Sequence, residues 1–245
     1  MEVEEYARIA AVEDDHWWYR TTRGIVADLL ATHVDSAGGD TLRILDAGCG
    51  PGGNGAWLAA HGTVIGVDRS PDALRFVHER RPALRPVRAD VAALPLGDAT
   101  IDVAIAITVL YAVPDDRAAI AELTRVLAPG GALVVVEPAF PSLRRAHDAT
   151  VHGQRRYRRR PLSDLLTAAG LHVLRATYAY SFLTPAAAAL AAADRVRSGH
   201  SAATASDVER RTLDRVFAPL AAAERRLLTH VDVPVGTSVA VLATR

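Results

Sequence analysis

Residues 44–55 read Ile-Leu-Asp-Ala-Gly-Cys-Gly-Pro-Gly-Gly-Asn-Gly, and this stretch decides the fold. Apolar residues bring a buried strand to Asp46, and a glycine-rich turn follows at once. Glycine takes positive φ without strain and lets a ligand approach the main chain. A helix is expected just after the turn, so its unpaired first N–H groups face whatever sits there.

Working outward, short apolar runs recur at 42–46, 64–68, 101–108 and 132–137, with a weaker one at 84–88. Amphipathic segments separate them. Ser70-Pro71-Asp72 starts one helix with a capping hydroxyl, a proline in the first turn and an acid at the positive end of the dipole. Asp115-Asp116 starts another, whose apolar stripe is Ile120, Leu123, Val126 and Leu127 and which Pro129-Gly130-Gly131 stops. Alternating strands and helices with apolar strands predict a parallel sheet covered on both faces. Before this core, residues 1–40 read as helical, with Ile25, Val26, Leu29 and Leu30 on one face. After it come a helix at 162–169, a strand at 171–178, an alanine-rich helical stretch at 185–230 containing Pro219, and a last alternating strand at 237–242.

The chain has 245 residues, half of them hydrophobic, with 28 basic and 28 acidic side chains. That length suits one elaborated α/β domain, and the neutral balance argues against wrapping nucleic acid. Every one of the basic residues is arginine. Cys49 is the single cysteine, so no intrachain disulfide forms, which fits a reducing, cytoplasmic setting. The acidic residues 1–15 lack the layout of a signal peptide, and no apolar run is long enough to insert in a membrane. No clustered metal ligands stand out.

Gly48, Gly50 and Gly53 match Gly-x-Gly-x-x-Gly, and Asp68 follows about twenty residues on, as in dinucleotide-binding folds. Taken alone, this leaves a nicotinamide cofactor open. Three acids point elsewhere. Asp46, directly before the glycines, can hold a cationic, amine-bearing ligand, whereas a pyrophosphate gains nothing from it. Asp68 ends the second strand, where a carboxylate accepts both ribose hydroxyls of an adenosine. Asp90 follows the third strand, placed to accept a hydrogen bond from an adenine amino group.

Together, Leu45-Asp-Ala-Gly-Cys-Gly-Pro-Gly, Gly66-Val-Asp-Arg-Ser, Ala89-Asp-Val-Ala-Ala-Leu-Pro and Leu123-Thr-Arg-Val-Leu-Ala-Pro-Gly-Gly resemble the class I S-adenosylmethionine (SAM)-dependent methyltransferases. The resemblance covers about residues 42–137. It implies a Rossmann-like seven-stranded sheet with one antiparallel strand at the late edge, to which the periodicity adds N-terminal helices and a helical insertion between the last two strands. It also implies SAM as cofactor, with Asp46, Ala47, Gly48, Cys49 and Gly50 around its methionine part. Asp68 and Arg69 then lie at the ribose, Asp90 and Val91 at the adenine, and Thr108 beyond the fourth strand. The family often carries Asp-x-Leu-Glu-His there; here Tyr111 and Ala112 replace the acid and the histidine, so no role of that pair carries over.

The flanks resemble a narrower subset. His16-Trp-Trp-Tyr-Arg followed by Arg23, and His147-Asp148, His152 and Arg155-Arg156-Tyr157 downstream, suggest a lid over the cofactor and an acceptor pocket at the sheet's carboxyl edge. Trp18 and Arg23 are then expected at the cofactor, and Tyr19, Tyr111, Phe140, Arg156 and Tyr157 at a small-molecule acceptor, a natural-product intermediate by the subset's resemblance. His152, His147, His16 and Tyr111 are the candidate bases. Bland readings stand beside these. Trp17, Trp18 and Tyr19 read equally as core residues, Cys49 as a buried filler, Asp68 and Asp90 as turn caps. The run at 143–160, with seven arginines, reads as a salt-bridged loop before an anion pocket or a nucleic-acid contact.

The resulting expectation is one methyltransferase domain over residues 1–245. Residues 1–40 form a cap, 41–140 a cofactor-binding core, and 141–245 a substrate-side half with a lid at 185–230, which also offers a homodimer surface. A SAM-binding protein with a regulatory or non-methyl role and an NAD-dependent oxidoreductase are the rival readings.

Overall fold

The computed structural model describes residues 3–33, 41–196 and 214–245, apart from the side chains of His147, Thr150 and Val196. The expected strands form first. β1 (Leu42–Ala47), β2 (Gly62–Asp68), β3 (Leu84–Arg88), β4 (Ile101–Ile107) and β5 (Leu127–Pro138) lie in the order 3-2-1-4-5 and pair in parallel. β4 buries every residue except Asp102, which is half-buried at its start and receives the Arg43 guanidinium. Such continuous burial is what a sheet covered on both faces requires.

β6 (His172–Ala179) and β7 (Ser238–Thr244) complete seven strands. β7 inserts antiparallel between β5 and β6, so the antiparallel strand lies one place in from the edge and β6 takes the edge itself. The alternation expected at 237–242 gives way for the same reason. With a neighbour on each side and helices above and below, all seven residues of β7 are buried.

The expected N-terminal helices are α1 (Val3–Val12) and α2 (Trp17–Ala31). The break falls at His16, whose ring caps α2 by accepting the Trp18 N–H. α3 (Gly53–Leu58) leaves the glycine turn. α4 (Pro71–Arg80) and α5 (Asp116–Val126) start as predicted, capped by Ser70 and Asp115. The α5 stripe of Ile120, Leu123 and Val126 is buried against one face of the sheet, beside Leu162 and Leu166 of α7 (Arg159–Ala168). The short α6 (Ala146–Thr150) precedes it. α8 (Thr184–Val196) and α9 (Asp214–Leu228) form the described parts of the late insertion, and the rest of the expected lid, 197–213, lies outside the described residues. Among the described residues no helix is long and apolar enough to cross a membrane.

The opposite face carries α2 and α9, with Ile25, Val26, Leu29, Ala221 and Leu228 over Val103, Ile105, Val134 and Leu242. These two helices come so close that a side chain at Gly24 would overlap the Arg225 guanidinium, which is paired with Asp28 at 2.6 and 2.8 Å. Trp17 fills the junction against Tyr180, Phe182 and Phe217 at ring-centroid distances of 5.5–6.1 Å. The buried Tyr180 hydroxyl lies 2.5 Å from Thr22 Oγ1 and donates to the Trp18 carbonyl. It therefore ties the cap to the end of β6. Tyr180→Phe should lower stability by about 1–2 kcal/mol, because it strands these partners in a dry site. An unchanged thermal midpoint would remove this tie from the account.

Candidate active site

The glycine turn is built by two constraints. Gly48 N–H and Cys49 N–H donate to the Val67 carbonyl at 2.7 and 2.9 Å, which pulls the turn onto β2. Asp68 then takes Gly50 N–H on Oδ2 at 3.0 Å and Ser70 N–H on Oδ1 at 2.9 Å. Gly48 has φ +69° and its missing Cβ would overlap Val109, so a glycine is required by both backbone and packing. A Cβ at Gly50, φ +53°, would meet nothing within 4 Å, because the main chain there borders open space.

That space is one cavity of about 660 Å³. Of the expected residues, Gly48, Cys49, Gly50, Asp68, Arg69, Asp90 and Val91 line its near half. Trp18, Tyr19, Thr108, Tyr111, His152 and Arg156 line the rest. Asp90 also serves as a turn cap, accepting Ala92 N–H at 2.9 Å, so the bland and the functional readings of this residue coexist.

Asp46 and Ala47 lie behind the wall, buried in β1. Asp46 is 1% exposed, yet its Oδ2 has no hydrogen-bond partner. Burial first, then the charges of Glu13 and Asp68, push its pKa up to about 7, while a hydrogen bond with Asn54 opposes them. Asn54 itself faces the cavity. An orphaned acid beneath an open glycine backbone suits a ligand that brings an ammonium group.

Three expected residues turn away from the cavity. Arg23 donates to the Glu13 and Asp14 carbonyls at 2.9 and 3.1 Å, closing the chain just after α1. Tyr157 is buried and donates its hydroxyl to Asp116 at 2.8 Å. Phe140 stacks on Tyr178 with centroids 4.7 Å apart. Each finds a better partner inside the protein than a ligand pocket offers, which corrects the expectation for these positions. The candidate base His147 has its side chain outside the described residues.

Other residues were missed. Glu13, 4% exposed, reaches the turn from just beyond α1, accepts Gly53 N–H at 3.0 Å and pairs with Arg81 at 3.1 Å. Tyr6 of α1, whose hydroxyl pKa burial raises, lines this part of the cavity with Ile9. In the sequence both belong to the acidic stretch at 1–15, which carries no ligand motif.

The loop after β4 is held from below by Glu137 of β5, which is 0% exposed. Its carboxylate accepts the N–H groups of Val109, Leu110 and Tyr111 at 3.0, 2.7 and 3.2 Å. Burial pushes Glu137 up to about 8 against the pull of those three donors. Thr108 sits at φ +53°, a costly conformation for a β-branched residue, and lines the cavity there. From above, Arg155 donates to the Leu110, Val113 and Pro114 carbonyls. Arg156 grips Asp148 and Arg144 takes the Gly153 and Gln154 carbonyls. The arginine run is thus largely a set of loop clasps. Burial raises the Tyr111 and Tyr19 hydroxyls, so both stay protonated and act as donors, not as bases. Cys49 is buried with its thiol pushed well up, and so is inert.

With this geometry in view, comparison with known proteins is informative. Residues 45–135 match the methyltransferase domain family. A probable S-adenosylmethionine-dependent methyltransferase of Mycolicibacterium smegmatis is 31% identical over 169 residues, 67% of this chain and 63% of that protein. A malonyl-[acyl-carrier protein] O-methyltransferase of Pseudescherichia vulneris is 34% identical over 132 residues, 51% and 53% of the two chains. The chain therefore spans less than two thirds of the length of either curated relative. A solved S-adenosylmethionine-dependent methyltransferase from Mesorhizobium loti has the same fold, with a TM-score of 0.59 at 19% identity, covering 91% of this chain and 98% of that one. Residues 45–135 thus make up a methyltransferase domain, and the relatives and the fold support a class I SAM-dependent methyltransferase.

Two outcomes follow for this site. Glu137→Ala leaves the Val109, Leu110 and Tyr111 N–H groups, one buried and two half-buried, without their acceptor, and should lower the urea midpoint by the equivalent of about 3 kcal/mol with an unchanged slope; a shift under about 1 kcal/mol would contradict the role given to this acid. Asp46 holds its proton more tightly in the folded apo protein than in the unfolded chain, so its contribution to stability is lost as pH rises from about 4 through about 7. An ammonium-bearing ligand favours the ionised acid. Affinity for S-adenosylhomocysteine should therefore rise between pH 6 and 8 with release of a proton, and Asp46→Asn should flatten the profile. Calorimetry in two buffers of different ionisation enthalpy reads both, and a flat wild-type profile would end this assignment.

Proposed function

We propose that this protein transfers a methyl group from SAM to an O, N or C atom of a small molecule, a natural-product intermediate. The observation that carries the reading is the orphaned Oδ2 of Asp46 beneath the open backbone of Gly50, in a cavity that also presents Asp68 and Asp90. Gly48, Gly50 and Asn54 would hold the methionine part, Asp68 the ribose and Asp90 with Val91 the adenine. SAM supplies an already activated methyl on its sulfonium.

The chain's own work is then alignment and exclusion of water. Tyr6, Ile9 and Glu13 close the roof over the glycine turn, and Trp18 and Tyr19 form a wall. Thr108 and Tyr111 stand where the cavity passes to its far half. With the tyrosines protonated, His16 and His152 are the base candidates whose described side chains line the cavity, and a base is needed only if the acceptor loses a proton near the transition state. His16 is unsuited, since its Nδ1 accepts the Trp18 N–H and its Nε2 lies 3.6 Å from Asp214.

The dinucleotide reading is disfavoured by charge. Glu13, Asp46 and Asp68 surround the turn, and a pyrophosphate there meets three acids. A non-methyl or regulatory role keeps one support, the Tyr111-Ala112 replacement. S-adenosylhomocysteine should bind saturably at micromolar concentration and raise the melting temperature, NAD and NADP should not, and Asp68→Ala should weaken binding at least tenfold. Binding of NAD in place of S-adenosylhomocysteine would refute the proposal. Methyl-labelled SAM with a broad acceptor panel then separates transfer from silent binding.

A further inference from the structure

The far half of the cavity has a chemistry of its own. Leu183, Ala186, Ala187 and Leu190 follow the i, i+3, i+4, i+7 spacing of one helical face, and all four line the cavity from α8 and the turn before it. Trp17 and Phe217, in edge contact at 5.5 Å, line it too, as do Leu143 and Val151. The two alanines leave width where larger residues would fill it. α8 is fixed at its far end, where Arg195 donates to the Ser142 carbonyl and Asp194 pairs with Arg145 at 3.5 Å.

Charge in this half is compensated. Arg156 faces the cavity, but Asp148 already binds it through both carboxylate oxygens, at 2.9 and 3.0 Å. Arg145 also faces the cavity and is paired with Asp194. An incoming carboxylate or phosphate would have to displace an acid that is already seated, at a net cost in charge-assisted hydrogen bonds. Among the other polar groups that line the cavity, the protonated hydroxyls of Tyr19 and Tyr111 suit a neutral oxygen or nitrogen.

We infer that the acceptor is an uncharged, largely apolar molecule whose hydrophobic body lies along the α8 stripe against Trp17 and Phe217, with its nucleophile at the Tyr19–Tyr111 end. This rests on the methyltransferase reading for the identity of the other half, but the walls of the chamber belong to the protein alone. Each methylene buried along the stripe should strengthen binding roughly fourfold.

Straight-chain 1-alkanols of six to ten carbons, and the matching alkanoates, titrated into the protein by calorimetry with and without saturating S-adenosylhomocysteine, test this. Expected are alkanol affinities that climb roughly fourfold per carbon, and alkanoates at least tenfold weaker at equal length. Ala187→Phe should weaken alkanol binding at least tenfold and leave the S-adenosylhomocysteine Kd within twofold. Leu190→Gln, at a site already 42% exposed, provides a second variant that keeps the fold and should weaken the longer alkanols most. Alkanoates that bind as tightly as alkanols, or affinities that ignore chain length, would overturn the inference. Loss of S-adenosylhomocysteine binding alone would strike the cofactor reading, with the chamber's preference still readable in the apo titration.

Discussion

The two N–H groups that Asp68 accepts, from Gly50 and from Ser70, fix the turn and the helix start that frame the cavity. One belongs to the turn that leaves β1, the other to the cap of α4. A single carboxylate at the end of β2 thereby sets the height of the glycine turn above the sheet and the entry of the next helix. The cavity exists because the turn is held at that height. The roof from α1 can settle only on a turn that is already fixed, and Glu13 does so by taking the neighbouring Gly53 N–H.

The sheet and the near half of the site were legible in the sequence because their signals are local. Apolar runs of strand length, each followed by an acid or a glycine, place Asp46, Asp68 and Asp90 at strand ends with no knowledge of tertiary structure. Ser70 and Asp115 announce their helices by chemistry alone. The roof was not legible. Glu13 meets Gly53 across forty residues, and Glu137 meets the 109–111 loop across about twenty-eight, with nothing in either local pattern to mark a buried acid. Arg23, Phe140 and Tyr157 failed in the opposite sense. Their residue types suit a ligand pocket, but nearby carbonyls, a stacking tyrosine and Asp116 compete for them successfully. The break between α1 and α2 was hidden for a related reason, since His16 becomes a cap only when its ring folds back on Trp18.

Backbone strain collects where the sequence was least informative. Of the five non-glycine residues with positive φ among the described residues, Thr108, Phe140, His152 and Tyr180 lie at the carboxyl edge of the sheet or in the segments packed over it, and Ala99 precedes β4. Each such residue costs about 1–3 kcal/mol and persists only where its surroundings over-determine it. Around Thr108 those surroundings are the Glu137 carboxylate below and the Arg155 guanidinium above. Rigidity around Thr108 therefore comes from polar groups spent on main-chain partners, and around Phe140 and Tyr180 from ring packing against Tyr178 and Trp17.

The choice of arginine for those clasps has a consequence of its own. A lysine in the place of Arg155 would offer a point charge that alkali neutralises, and one amine to share among three carbonyls. The guanidinium keeps its proton throughout the range in which proteins stay folded, and its planar fork reaches several oxygens at fixed angles. In a chain without lysine, the guanidinium clasps over the cavity do not titrate, so alkalinity that loosens ammonium-held loops leaves these clasps in place.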